Sequence, residues 1–201
     1  MDVMDVANEA RRVSDVAPDV ARTPARRGRL LFWGPAAAVA GLLALVTVSV
    51  LRPAQDNPLQ TLNRPAPDFT LPLYGGGALR LAALRGKTVM INFWWSGCVP
   101  CQEEAPLLER AWRAWKDKGV VFIGIDEIDD PHSAAPRDFL RRYDITYPNV
   151  WDTSYIAIEY GTTGQPESFF ITPRGMIKTK YVQPFPDDQT LARLIGDARP
   201  S

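Results

Sequence analysis

The sequence predicts an α/β domain with a mixed central sheet, helices on both faces and an extra N-terminal β-hairpin, preceded by one transmembrane helix. Three observations carry this. Residues 30–51 (LLFWGPAAAVAGLLALVTVSVL) run for 22 residues without one charge. Beyond them, short apolar runs alternate with amphipathic stretches at helical spacing. Those runs read strand, helix, strand, helix and then strand, strand, helix, so a βαβ unit is followed by a ββα unit.

About 20 apolar residues, each rising roughly 1.5 Å, span the roughly 30 Å hydrocarbon core, so residues 30–51 fit a transmembrane signal anchor. A cleaved secretory signal has an apolar core of only about 7–15 residues, closed by a small-residue cleavage site. This run is longer, and no such site follows it. Arg26-Arg27 does not make a twin-arginine signal, because Arg29 stands where an apolar residue is preferred. Residues 1–29 hold six arginines and no lysine and are expected as a disordered tail. Arg22, Arg26, Arg27 and Arg29 outweigh Arg52 and Arg64 on the other flank. That asymmetry places the tail in the cytoplasm and the rest of the chain on the extracytoplasmic side of a cell membrane, where disulfides form and persist. The chain's 23 basic and 23 acidic residues balance, which removes the electrostatic reason to expect nucleic acid as a partner.

Residues 52–63 (RPAQDNPLQTLN) are polar with two prolines and suit a linker. Residues 64–201 then form the domain, and a chain of about 140 residues can bury close to two-thirds of its unfolded surface. Residues 69–73 and 78–81 flank Gly75-Gly76-Gly77 as an edge hairpin, in which Pro72 is tolerated because an edge needs no donor there. Residues 88–94 (TVMINFW) are nearly all apolar, as in a strand covered on both faces. Leu108, Ala111, Trp112 and Trp115 then recur at helical spacing, with Glu109, Arg110, Arg113 and Lys116 expected toward water. Gly119 ends that helix and residues 120–125 (VVFIGI) give the next buried strand. Helices are expected over 135–143 and 154–160. Residues 167–171 and 176–182 flank the turn Thr172-Pro173-Arg174-Gly175, and Leu191, Leu194 and Ile195 mark a final helix.

The chain's two cysteines, Cys98 and Cys101, stand in FWWSGCVPC, at the start of a helix directly after a buried strand. A structural zinc site needs about four Cys or His ligands, and beside the two cysteines only His132 exists. That histidine, in the loop DDPHS, is expected to be solvated. Covalent haem attachment needs histidine directly after the second cysteine, where Gln102 stands. A permanent staple across so short a loop would stabilise little. A reversible dithiol–disulfide couple remains. Cys98 at the helix N-terminus meets unpaired N–H groups and the positive end of the dipole, which favour a thiolate. It is the sulfur expected to attack, with Cys101, one turn inward, resolving the mixed disulfide.

With those residues in place, the chain resembles the membrane-anchored, thioredoxin-like oxidoreductases of the TlpA/ResA/CcmG (DsbE) group within the redoxin superfamily. The resemblance lies in residues 66–73 (APDFTLPL), 84–108 (LRGKTVMINFWWSGCVPCQEEAPLL) and 160–177 (YGTTGQPESFFITPRGMI). It implies a thioredoxin-like fold and a thiol–disulfide oxidoreductase, a protein-disulfide reductase with no cofactor beyond the Cys98–Cys101 disulfide. It implies a cis bond at Pro166, with Gln165, Pro166 and Trp95 at the substrate. It also implies Glu104 as the acid serving Cys101, whereas spacing alone slightly favours a solvated helix glutamate. Asn92 sits where thioredoxin has a buried acid and is expected to satisfy a hydrogen bond. Glu127 aligns with a second acidic position of the group. The implied partners are exported proteins with disulfides, apocytochrome c among them in cytochrome c-type biogenesis, and a membrane electron donor of the CcdA/DsbD type. One departure is Gly97, where the group most often has tryptophan before the first cysteine.

Two other activities are compatible with paired thiols. A tethered metallochaperone could hold Cu(I), a soft ion, between them. A peroxiredoxin-like peroxide reductase needs threonine three residues before the reacting cysteine, and Trp95 stands there.

Overall fold

The computed structural model describes Gly41, Leu42 and residues 59–199. The expected tail, the anchor apart from Gly41 and Leu42, and the linker up to residue 58 lie outside the described residues. Among the described residues no helix is long and apolar enough to cross a membrane.

Six strands form the main sheet, in the order β1 (Leu59–Pro65), β8 (Met176–Tyr181), β7 (Glu167–Ile171), β4 (Thr88–Trp94), β5 (Val120–Asp126), β6 (Asn149–Trp151). β4, β5 and β6 are parallel, while β7, β8 and β1 are added antiparallel. All seven residues of β4 are buried, as expected for a central strand covered on both faces. Side chains alternate along a strand. Met90, Asn92 and Trp94 accordingly face helix α1 (Val99–Trp115), whereas Val89, Ile91 and Phe93 join the opposite layer.

The α1 side is closed by Leu107, Leu108 and Ala111 of α1, by Leu191, Leu194 and Ile195 of α4 (Asp188–Ala198), and by Phe139 of α2 (Ala135–Arg142). The other layer is closed by Ile156, Ala157 and Tyr160 of α3 (Ile156–Tyr160) and by Leu71 of the hairpin formed by β2 (Thr70–Pro72) and β3 (Ala78–Arg80). Helix α1 passes through a short 3-10 turn and stops at Gly119, whose φ of 76° suits the left-handed turn that terminates it.

Four features differ from the sequence reading, the first being strand β6, which falls between α2 and α3 where the sequence pattern predicts no strand. Strand β1 begins at Leu59, so the folded domain starts inside the stretch assigned to the linker. It is an edge strand whose half-buried Leu59 and Leu62 alternate imperfectly across an irregularity between Thr61 and Arg64. That weak pattern and its flanking prolines read as tether. The hairpin forms its own two-stranded sheet, tied to β6 by a single bridge between Leu73 and Val150. Glu109 is buried, accepting from Arg113 Nε at 2.6 Å, Thr146 N at 2.8 Å and Thr146 Oγ1 at 2.7 Å. The loop before β6 covers it, which helical spacing alone does not reveal.

Candidate active site

Strand β4 ends at Trp94, and after three intervening residues the chain reaches Cys98, the N-cap of α1. Cys98 has extended backbone, and its Sγ accepts from Cys101 N at 3.2 Å. Pro100 occupies the first turn, where a missing N–H costs nothing. Cys98 and Cys101 are joined as a disulfide, with their Cα atoms 5.2 Å apart. The cystine is buried, whereas Val99 between the two sulfurs is 61% exposed.

One turn beyond Cys101, Glu104 is 2% exposed, while its neighbour Glu103 is exposed. This settles which of the two glutamates is solvated. Burial pushes the Glu104 carboxyl up to about 8, against bonds that favour its charged form, from Asn92 Nδ2 at 2.8 Å and Phe185 N at 3.2 Å. Asn92 also donates to Ser168 Oγ at 3.1 Å. A buried polar layer of Asn92, Glu104 and Ser168 thus lies inward of the cystine.

The Gln165–Pro166 bond is cis. Because β7 runs antiparallel to β4 with Glu167 opposite Phe93, this loop reaches the end of the sheet where β4 delivers Cys98. Glu167 is buried and pinned by Lys180 Nζ at 2.8 Å, Thr163 N at 3.1 Å and Thr163 Oγ1 at 2.5 Å, while Lys180 also donates to Gly161 O at 2.7 Å. The Gln165 side-chain amide is engaged by Glu127, whose backbone N–H donates to Trp94 O at 3.1 Å.

Trp95 folds against Gly97. A β-carbon on that glycine would meet the ring at 2.2 Å from Cζ3 and 2.7 Å from Cη2. The indole therefore covers the residue before Cys98, which only glycine permits. His132, by contrast, is exposed in the loop after β5. Among the described residues, no three His, Cys, Asp or Glu side chains are grouped to hold a metal.

The AhpC/TSA family profile matches residues 62–180. The chain belongs to the AhpC/TSA family. It is 31% identical over 134 residues to the thiol-disulfide oxidoreductase ResA of Bacillus thuringiensis subsp. konkukian, covering 66% of this chain and 74% of that one. The thiol:disulfide interchange protein DsbE of Pseudomonas fluorescens is 35% identical over 128 residues, or 62% of this chain and 68% of its own. The crystal structure of a thiol:disulfide interchange protein of the thioredoxin family from Chlorobium tepidum matches with a TM-score of 0.62 at 26% identity. That match covers 69% of this chain and 98% of the other. The fold is thioredoxin-like, and this AhpC/TSA member is a thiol–disulfide oxidoreductase of the ResA/DsbE type carrying the Cys98–Cys101 pair.

Sequence reasoning passed over one group of residues beside the cystine. Asp126, at the end of β5, accepts from Tyr74 Oη at 2.7 Å, Asp129 N at 3.1 Å and Ile128 N at 3.2 Å. Burial pushes Asp126 up to about 6, although those bonds favour its charged form. Burial, with Asp126 as acceptor, also raises Tyr74 above the ordinary phenol value. The available signal was the acidic run Asp126-Glu127-Ile128-Asp129-Asp130 directly after a buried strand.

Proposed function

We propose that the chain is a membrane-anchored extracytoplasmic reductase of disulfides in exported proteins, apocytochrome c among them, recharged by a membrane electron donor of the CcdA/DsbD type. The observation that carries this reading is the Cys98–Cys101 couple at a helix N-terminus, with buried Glu104 behind it and the cis-Pro166 loop beside it. The charge-free apolar run of residues 30–51 supports the location, and the kinship with ResA and DsbE supports the substrate class.

In the reduced enzyme the Cys98 thiolate attacks one sulfur of the substrate cystine. A mixed disulfide forms, and the substrate's other sulfur leaves as a thiolate that takes up a proton. Cys101 then loses its proton and attacks Cys98 Sγ, which closes the enzyme disulfide and releases the second substrate thiolate. Two electrons pass from the enzyme dithiol to the substrate. Glu104, whose carboxyl burial raises to about 8, takes up the Cys101 proton in its ionised form and returns it in its neutral form. The backbone of Gln165 and Pro166 pairs with the extended substrate chain, and the Trp95 indole forms the wall beside Cys98. No cofactor is needed for this exchange.

The test is a Cys101→Ser variant in the native cell, where the mixed disulfide through Cys98 cannot be resolved. Recovery of a cytochrome c precursor is the expected result. Broad trapping of exported proteins would redirect the reading to general disulfide quality control. No trapped partner, with stoichiometric copper retained by the wild type, would sink it in favour of a metallochaperone. A reduction potential well below about −200 mV fits a reductant, and one near about −120 mV an oxidant.

A further inference from the structure

Ser96, two residues before Cys98, has all three of its polar groups engaged. Its backbone N–H donates to Asp129 Oδ2 at 2.6 Å, its hydroxyl donates to Asp129 Oδ1 at 2.8 Å, and its carbonyl accepts from Gln102 Nε2 at 2.8 Å. Asp129 is held in turn, since its own N–H donates to Asp126, which also receives the Tyr74 hydroxyl. A continuous chain of bonds thus runs from Tyr74, just after the hairpin's first strand, through Asp126 and Asp129 to Ser96 and the first turn of α1.

This arrangement has two physical consequences. The loop between β4 and Cys98 is clamped by a bidentate carboxylate from another element, so it is fixed independently of the cystine. Charge-assisted bonds of this kind are roughly twice as strong as neutral ones. The second consequence is electrostatic. Asp129 brings a negative charge to the end of α1 where the helix N-terminus would stabilise a thiolate. Among the described residues no Lys or Arg pairs with Asp129, and Arg137 donates instead to the carbonyls of Pro131 and Ser133. The charges nearest it along the chain, Asp126, Glu127 and Asp130, are also acidic, while Arg137 lies over the Tyr74 ring and Arg142 lines the pocket beside Ser96 and Gln102.

We propose that Asp129 is a positioning residue that clamps the active-site loop through Ser96 and biases the Cys98–Cys101 couple toward giving electrons. Destabilising the Cys98 thiolate destabilises the reduced protein relative to the disulfide, and a couple so biased is the stronger reductant. The inference rests on the couple being redox active, and the experiment separates the two claims.

Asp129→Asn keeps the size and loses the charge. Equilibration of the full chain with glutathione should show its dithiol form favoured about tenfold over wild type, equal to about 30 mV for this two-electron couple. The Cys98 thiol should also titrate at lower pH. Asp129→Glu, which restores the charge, should return the equilibrium toward wild type. Asp129→Ser provides the same neutral test if the asparagine variant fails to fold. A neutral variant within twofold of wild type, or displaced toward the disulfide, overturns the role of Asp129 while leaving the oxidoreductase reading intact. A wild-type cystine that does not exchange with glutathione at all overturns both.

Discussion

The two sides of strand β4 are built from the same strand and differ in kind. Toward the hairpin, Val89, Ile91 and Phe93 enter a layer in which Phe93, Tyr160 and Phe169 pack edge-on or tilted, with ring centroids 5.1–5.6 Å apart. Toward α1, Met90 is followed by Asn92 and Trp94, and the layer changes from apolar to hydrogen-bonded to the cystine within a few residues. One side supplies cohesion through buried area and aromatic contact. The other side holds buried polar groups whose cost is offset by pairing. Chemistry is thus confined to the side and the end of the strand where burial is used to tune a carboxyl and a sulfur rather than to add stability.

The largest effect that would break this comparison is Phe93→Ala. Its side chain is fully buried, and phenylalanine-to-alanine changes in cores cost about 3–5 kcal/mol. Urea unfolding should show a loss of that order, while the reduction potential of the folded variant stays that of the wild type. A potential that moves as much as the stability would mean that the two sides are not separable in function.

Most of the first side was legible in the sequence, because apolar runs such as residues 88–94 and 167–171 specify buried strands by content alone. The cysteine pair was equally legible, since few chemistries fit two thiols at that spacing. The second side was only partly so. Glu104 and Glu103 are neighbours with the same intrinsic chemistry, and only the tertiary contacts of Asn92 and Phe185 distinguish the buried one. Strand β6 has three residues and borrows its definition from β5. Glu109, Asp126, Asp129 and Glu167 are acidic residues whose partners lie on other elements, at Thr146, Tyr74, Ser96 and Lys180. Periodicity reports which face a side chain takes, and not what waits there for it.

A smaller effect sharpens the polar side. The Glu104 carboxyl is raised from 4.5 to about 8 by burial, so between those values the folded state holds a proton that the unfolded state has lost. Folding stability therefore falls as pH rises through this window and levels above about pH 8, with a maximum slope of about 1.4 kcal/mol per pH unit per proton. Asp126, raised from 3.8 to about 6, contributes in the same direction at lower pH. Measured on the disulfide form between roughly pH 6 and 8, wild type should lose stability and Glu104→Gln should lose much less. Parallel slopes for the two proteins would remove Glu104 as the titrating group.

The smallest effect concerns the boundary between the sides, where Trp95 lies on Gly97. A methyl group at position 97 would stand 2.2 Å from Trp95 Cζ3, well inside contact distance, so Gly97→Ala has to expel the indole. Trp95 is half-buried and can swing outward, which holds the cost near the low end for overpacking, about 1 kcal/mol. A double-mutant cycle isolates this contact from any general effect of alanine on the loop, because Trp95→Ala removes the obstacle. Gly97→Ala should then cost about 1 kcal/mol in the wild-type background and nearly nothing beside Trp95→Ala. Loss of the indole should also open Cys98 to small disulfides, so both single variants should exchange faster with oxidised glutathione than wild type does. Additive stabilities with unchanged glutathione rates would show that Trp95 does not wall the cystine, and the substrate contact assigned to it would fall with that result.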